Sequence, residues 1–314
     1  MTVSDMLAVV LTPSKMRYDA NRSLAKTRLY KSALTSIFSL SLAIAFFVTT
    51  QVVAVFVSSK NVVFANEQAL IIPTTPSTPT TKAPDAQSSV RTYEQLQSVV
   101  NAWAQKYEGK VSVTIAANDG TLLASSNQQK QYYSASIYKI YLAYVVSQDI
   151  DNGVYAADEI YLNDYTRADC LVSMLQYSDN PCAEKMLIEL GSKKIQSRIE
   201  ALGLTDTVMS RLLTSTKDAS IVTGLINKGV GLSQQSTVRL RTAMLNQTYR
   251  KGLPLGLKDF EVGDKVGMYE AEYHDTAFVK TPSSESFVVT VFTESLGVSV
   301  ITELAEQIAP LLRL

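Results

Sequence analysis

The apolar positions of this chain fall into distinct regimes along its length. From Ser32 to Ser59 no residue is charged, and Ile37 to Val57 is strongly apolar. That stretch is long enough to cross a bilayer. Lys15, Arg17, Arg22, Lys26, Arg28 and Lys31 precede it, while only Lys60 follows closely. The asymmetry predicts a cytoplasmic tail over 1–31 and a single membrane anchor over 32–59, with the rest of the chain outside the cytoplasm. A cleaved signal peptide ending near Val63-Phe64-Ala65 is the rival reading, but its basic and apolar parts would both be unusually long, so an uncleaved anchor is favoured. Residues 60–90 change character again. Ile72 to Pro84 is dominated by Pro, Thr and Ser, the composition of an extended spacer that cannot bury a core.

The pattern from 91 to 314 is that of a folded domain. Tyr93, Leu96, Val99, Val100, Trp103 and Tyr107 recur at helical spacing. Val111 to Ile115 alternates at the strand period, Asn118-Asp119-Gly120 turns the chain, and Thr121 to Ala124 returns it, which predicts a hairpin. Residues 156–250 are largely helical in pattern, with a helix opened by Pro181 and closed by Gly191. Strand character returns in Phe260–Val266, Thr276–Val279 and Phe287–Phe292. Ile301, Leu304, Ile308, Leu311 and Leu312 line one face of a terminal helix. Strands at both ends with helices between them predict an α+β domain: an antiparallel sheet assembled from the two ends, flanked by helices, with a mostly helical insert.

One stretch departs from every amphipathic pattern. From Tyr133 to Val146 nearly all positions after Ser136 are apolar or aromatic, with no polar stripe at either period. A helix that is apolar all round is a buried one. Lys139 stands in it, three residues after Ser136 and on the same helical face. Burying an ammonium is costly and favours the neutral amine, which accepts a proton. A serine beside such a lysine has the makings of an activated nucleophile. The plainer alternative is a core helix whose lysine reaches out to solvent, and S-x-x-K alone is weak: Ser23-Leu24-Ala25-Lys26 repeats it in a polar basic stretch.

Composition narrows the chemistry. Lys plus Arg equals Asp plus Glu at 29 each, which gives no electrostatic case for nucleic acid. There is one histidine, His274, and there are two cysteines, Cys170 and Cys182. No set of residues has zinc-ligand spacing, so neither a metal nor another cofactor is expected. His274, beside a predicted strand, reads as a surface or edge side chain, so the base of any hydrolytic reaction falls to another residue. Cys170 and Cys182 are placed to pair in an exported domain or to remain two buried thiols.

Two further motifs follow Ser136 and Lys139 in order: Ser178-Asp179-Asn180, where Asn180 alternatively caps the helix that Pro181 opens, and Lys265-Val266-Gly267 at the end of a strand. Together they resemble the S-x-x-K, S-D-N and K-T-G set of class A β-lactamases and related penicillin-binding proteins. The resemblance extends over 93–312 through Gly252-Leu253-Pro254, His274–Val279 and Thr214–Ala219. It implies Ser136 as the acylated nucleophile, Lys139 as its proton acceptor and Ser178 as the relay to the leaving nitrogen. Asn180 would bind the substrate amide, and Lys265 with Gly267 and Met268 the remainder of the substrate. The backbone N–H groups of Ser136 and Met268 would form the oxyanion hole.

Two departures modify the expectation. Val266 replaces the hydroxyl residue of the third motif and offers no hydrogen bond to a carboxylate. Leu204 to Leu213 runs directly into Thr214 where the β-lactamases carry a long loop with the glutamate that activates the deacylating water. Asp206 is the only acid in that stretch. The expected protein is a monomeric, single-pass, extracytoplasmic serine hydrolase or acyl-transferase at the cell membrane, acting on β-lactams or on the stem peptide of peptidoglycan and deacylating slowly. Hydrolysis, peptidase action and slow trapping remain open, and the alternative is a binding module that has lost turnover.

Overall fold

The computed structural model describes residues 86–313 other than 271. The expected tail, the anchor and most of the spacer, with Ser23 and Lys26, lie outside the described residues. Among the described residues no helix is long and apolar enough to cross a membrane. Helix α1 (Ala86–Lys106) begins ahead of the expected domain start at 91 and turns Leu96, Val100 and Trp103 inward. The predicted hairpin follows as β1 (Val111–Ala117) and β2 (Leu122–Ser126), then a short strand β3 (Tyr132–Tyr133). The apolar stretch becomes a 3-10 turn, Ala135–Ile137, running into helix α2 (Tyr138–Asp151).

The helical insert comprises a small hairpin, β4 (Ile160–Leu162) with β5 (Tyr165–Thr166), and helices α3 (Arg167–Gln176), α4 (Asn180–Leu190) and α5 (Ser192–Glu200). After β6 (Leu213–Thr214) come α6 (Thr216–Lys228), α7 (Gln234–Leu245) and the short α8 (Leu253–Gly256). Three long strands, β7 (Glu261–Tyr269), β8 (Glu272–Lys280) and β9 (Ser286–Thr293), precede α9 (Ser299–Ile308).

The five-stranded sheet has the order β2-β1-β9-β8-β7 and is antiparallel throughout, so the two ends of the domain meet where β1 pairs with β9, Val113 opposite Val291. Its faces alternate with the strand period. Ala277, Val279 and Val291 pack outward on α1 and α9, where Trp103 Nε1 donates to Val300 O at 3.1 Å. Phe278 and Phe292 pack inward on the helical half of the molecule. Helix α2 runs through that half, touched by α3, α4, α5, α6 and α7. Tyr138 to Ser147 are accordingly all buried, which is why the sequence there has no polar stripe.

Two local constraints shape the surroundings of α2. Cys170 and Cys182 form a disulfide with Cα atoms 5.2 Å apart, joining α3 to α4 across the Ser178–Asn180 loop. On the other side, β7 presses against the 3-10 turn. A Cβ on Gly267 would lie 2.8 Å from Ser134 O and 3.0 Å from Ile137 Cγ1.

Each constraint has a measurable counterpart. Replacing both cysteines with alanine is expected to cost about 3 kcal/mol, the value for a closed loop of this order of length, read as a lowered urea midpoint; an unchanged midpoint would show that the bridge contributes nothing. Gly267→Ala is expected to lose about 1–3 kcal/mol through overpacking. Gly297→Ala, where the nearest atom would be 4.0 Å away, is the neutral control.

Candidate active site

The sequence-predicted residues come from three elements that meet at the inner face of β7. The 3-10 turn carries Ser136, half-buried, one turn ahead of Lys139. The residue before it, Ala135, has φ 45°, and Ser178 on the facing loop has φ 59°. Left-handed backbone at a residue with a Cβ costs about 1 kcal/mol or more and persists only where the surroundings impose it. Around Ala135 the surroundings are Gly267 on one side and, on the other, Leu212, whose carbonyl accepts from Ser134 N at 2.7 Å.

Lys139 is fully buried and does not reach solvent. Its Nζ donates to Ser178 O at 2.7 Å and to Asn180 Oδ1 at 2.6 Å, and lies 3.4 Å from Ser178 Oγ. Burial pushes its pKa down to about 8, against the opposing charges of Asp179 and Glu184. As a neutral amine it has two hydrogens, which the two carbonyl-type acceptors occupy, so its lone pair is free to receive a proton. Asn180 itself does not cap α4. Asp179 does, its Oδ1 accepting from Cys182 N at 2.8 Å, and this leaves the Asn180 amide turned to the lysine.

Lys265 approaches from β7, also fully buried. It donates to Ser178 Oγ at 3.0 Å and to Val266 O at 2.6 Å. Burial, reinforced by repulsion from Lys139, brings its pKa down to about 7, against the pull of Asp264 and Asp275. The Ser178 hydroxyl thus sits between two amines that both titrate near neutrality, the arrangement a proton relay needs. Lys139, Ser178, Asn180 and Lys265 are joined by hydrogen bonds. Ser136 and Gly267 are joined to them through the packing of the turn on β7. Met268 is 41% exposed at the end of β7, which is the edge strand of the sheet. Val266 is buried on the strand face opposite Lys265.

His274 corrects the sequence expectation. It is buried in the middle of the sheet, with Nδ1 accepting from Thr293 N at 3.3 Å and Nε2 facing Tyr133 O at 2.8 Å. An amide N–H can only donate, so Nδ1 is the acceptor and Nε2–H donates to Tyr133 O. The imidazole props up the strand that leads into Ser136. Two acids that the sequence reading passed over lie on the outer face of the same strands. Asp264 meets Arg250 at 2.7 Å, and Asp275 accepts from Leu253 N at 2.8 Å. Burial raises Asp264 to about 7 despite Arg250, and raises Asp275 well above the carboxylate range. An aspartate at a core-facing strand position was the available signal. The Leu204–Leu213 stretch places Asp206 away from these groups, at the start of α6, with Lys217 Nζ at 3.5 Å and Ser215 Oγ at 3.3 Å. Among the described residues no group of three or more His, Cys, Asp or Glu side chains is placed to hold a metal ion.

Solved structures with this fold include a mutant of PBP-A in acyl-enzyme complex with penicillin G, with 19% identity, a TM-score of 0.60, and coverage of 70% of this chain and 96% of that one. An ancestral class A β-lactamase gives 21% identity and a TM-score of 0.62, over 68% of this chain and 99% of its own. A β-lactamase from Xanthomonas campestris gives 17% and 0.63, over 70% and 98%. Identities this low speak for the fold alone. No curated protein sequence gives a significant match. The profile described as the β-lactamase enzyme family matches residues 93–311, most of the chain. On that match, with the three motifs and the sheet-and-helix architecture around them, this chain belongs to the β-lactamase enzyme family, and its fold is that of class A β-lactamases and of PBP-A.

Proposed function

We propose that the protein is a membrane-anchored, extracytoplasmic serine acyl-transfer enzyme that forms an acyl-enzyme on Ser136 with β-lactams or D-alanyl-D-alanine-type peptides. The observation that carries this reading is the convergence of two buried lysines on one serine hydroxyl, Lys139 at 3.4 Å and Lys265 at 3.0 Å from Ser178 Oγ. A core has no use for two desolvated amines, and a proton pathway does. Neutral Lys139 takes the proton of Ser136 Oγ as that oxygen attacks the carbonyl carbon. The proton passes from Lys139 through Ser178 to the departing nitrogen, and Lys139 returns to the amine. Met268 N–H and Ser136 N–H face the developing oxyanion, and Asn180 and Lys265 hold the substrate. A mutant of PBP-A, similar to this chain in fold, has been seen as an acyl-enzyme with penicillin G.

Acylation is the better equipped half of the reaction. The ester is hydrolysed only when a water on its open face is activated, and the loop that would carry a glutamate is here the short run Leu204–Leu213. Asp206 within it is engaged by Lys217 and Ser215. The adduct should therefore form readily and leave slowly. Residues 1–31 as a cytoplasmic tail, 32–59 as the anchor and 60–90 as the spacer complete the proposal, supported by the uncharged apolar length of the anchor, the Pro/Thr/Ser composition of the spacer and the charge asymmetry that orients them.

The nucleophile is tested by intact-mass spectrometry with penicillin G. Ser136→Ala is expected to give no adduct. Lys139→Arg is expected to acylate roughly 10²–10⁴-fold more slowly, since a guanidinium does not deprotonate in a protein. Below about pH 8 the base is protonated, so the acylation rate should rise with pH through an apparent pKa of about 8. Normal acylation by Lys139→Arg would make the lysine structural and sink the mechanism. Slow deacylation predicts a burst of one equivalent with little turnover after it; sustained rapid hydrolysis that disappears in Ser136→Ala is the contrary result. For topology, protease added to intact cells should release the domain by cutting between Lys60 and Ser89, and full protection would reverse the orientation.

A further inference from the structure

An acyl-enzyme that leaves slowly still needs a base, and the carboxylates around the site are unequal candidates. Asp179 is committed to the N-cap of α4 through Cys182 N. Asp206 is held by Lys217 and Ser215. Asp264 and Asp275 are fully buried on the face of the sheet opposite Lys265 and so have no access to water in the cleft. Glu184 differs from all four. It lies on α4 four residues after Asn180, which places the two side chains on one face of the helix. That face is turned to the serine helix, because Asn180 Oδ1 accepts from Lys139 Nζ at 2.6 Å. Glu184 is exposed, and no hydrogen bond or ion pair engages its carboxylate among the described residues. Its charge acts on two neighbours of the nucleophile, Lys139 and Tyr138, the residues three and two positions after Ser136. Such an influence fades quickly with distance.

We infer that Glu184 is a further catalytic residue, the general base for the water that releases the acyl group from Ser136. The inference rests on the acyl-enzyme reading above. In this step Glu184 takes a proton from water while the water oxygen bonds to the acyl carbon. The tetrahedral intermediate collapses with cleavage of the bond to Ser136 Oγ. The proton held by Glu184 returns through Lys139 to that oxygen, restoring the serine hydroxyl and the carboxylate, and the product leaves as the free acid. A glutamate on a solvated helix face holds a water less firmly than one in a packed loop, which accords with slow release.

The test uses the full-length protein, penicillin G as the probe, and acylation and adduct loss timed separately by intact-mass spectrometry. Glu184→Gln preserves size and keeps the exposed helix position. It should acylate at close to the parental rate while losing the adduct roughly 10²-fold more slowly or worse, the low end for removal of a general base. Glu184→Asp should recover part of that loss, which a merely structural residue would not show. Adduct loss at the parental rate in Glu184→Gln overturns the inference and leaves the Ser136 reading standing. Equal slowing of acylation and loss also overturns it, since that would make Glu184 a substrate contact. Absence of any adduct on the parent protein overturns both.

Discussion

The cost of burying two amines governs this candidate site. Lys139 and Lys265 are both removed from solvent, and neither is opposite a carboxylate that would neutralise it within the cleft. Their remaining options are to lose a proton or to be surrounded by oxygen acceptors, and the structure provides for both. Ser178 contributes its carbonyl to one lysine and its hydroxyl to both, while Asn180 and Val266 contribute carbonyl-type oxygens. The result is a pair of groups with pKa values of about 8 and about 7, close enough to neutrality for either to give or take a proton. Any arrangement that let water reach them would return both to ordinary ammonium ions and remove the neutral amines.

Water is kept out by the same packing that makes the fold. Helix α2 is touched by five other helices, and Lys139 on it is buried. Lys265 stands on the inner face of an edge strand that the serine turn covers, and that cover depends on the missing side chain of Gly267. Ser136 and Ser178 are delivered through left-handed backbone at Ala135 and at Ser178 itself. Those conformations are held from outside, by the strand, by the Leu212 carbonyl and by the disulfide that ties α3 to α4. The strain sits at Ala135 and Ser178, and the stability that sustains it sits in the two cores.

Beneath the strand, Asp264 and Asp275 place acidic groups on the far side of the backbone from Lys265. Their charges oppose the burial and the Lys139 repulsion that bring the Lys265 pKa down. Burial in turn favours their protonated forms. The protonation of the inner and outer faces of β7 is therefore linked, although no hydrogen bond crosses between them.

Patterns of period two and 3.6, and the order of three short motifs, already determined the α+β class, the hairpin, the late strands and the buried helix with Lys139 inside it. These rest on interactions between residues near in sequence, or on whether a side chain faces water at all, and the order of residues records both. His274 was legible only as beside a strand, because which neighbour a buried imidazole bonds depends on Tyr133 and Thr293 arriving from elsewhere. Asn180 and Asp179 compete for one helix cap, and only the presence of Lys139 opposite decides that Asn180 turns away. Whether Cys170 and Cys182 meet depends on how α3 and α4 approach, not on their spacing. The convergence of Lys139 and Lys265 on Ser178, from positions 39 and 87 residues away along the chain, is likewise a product of packing. Local order specified which groups are chemically capable; the burial that changes their protonation exists only once distant elements close around them.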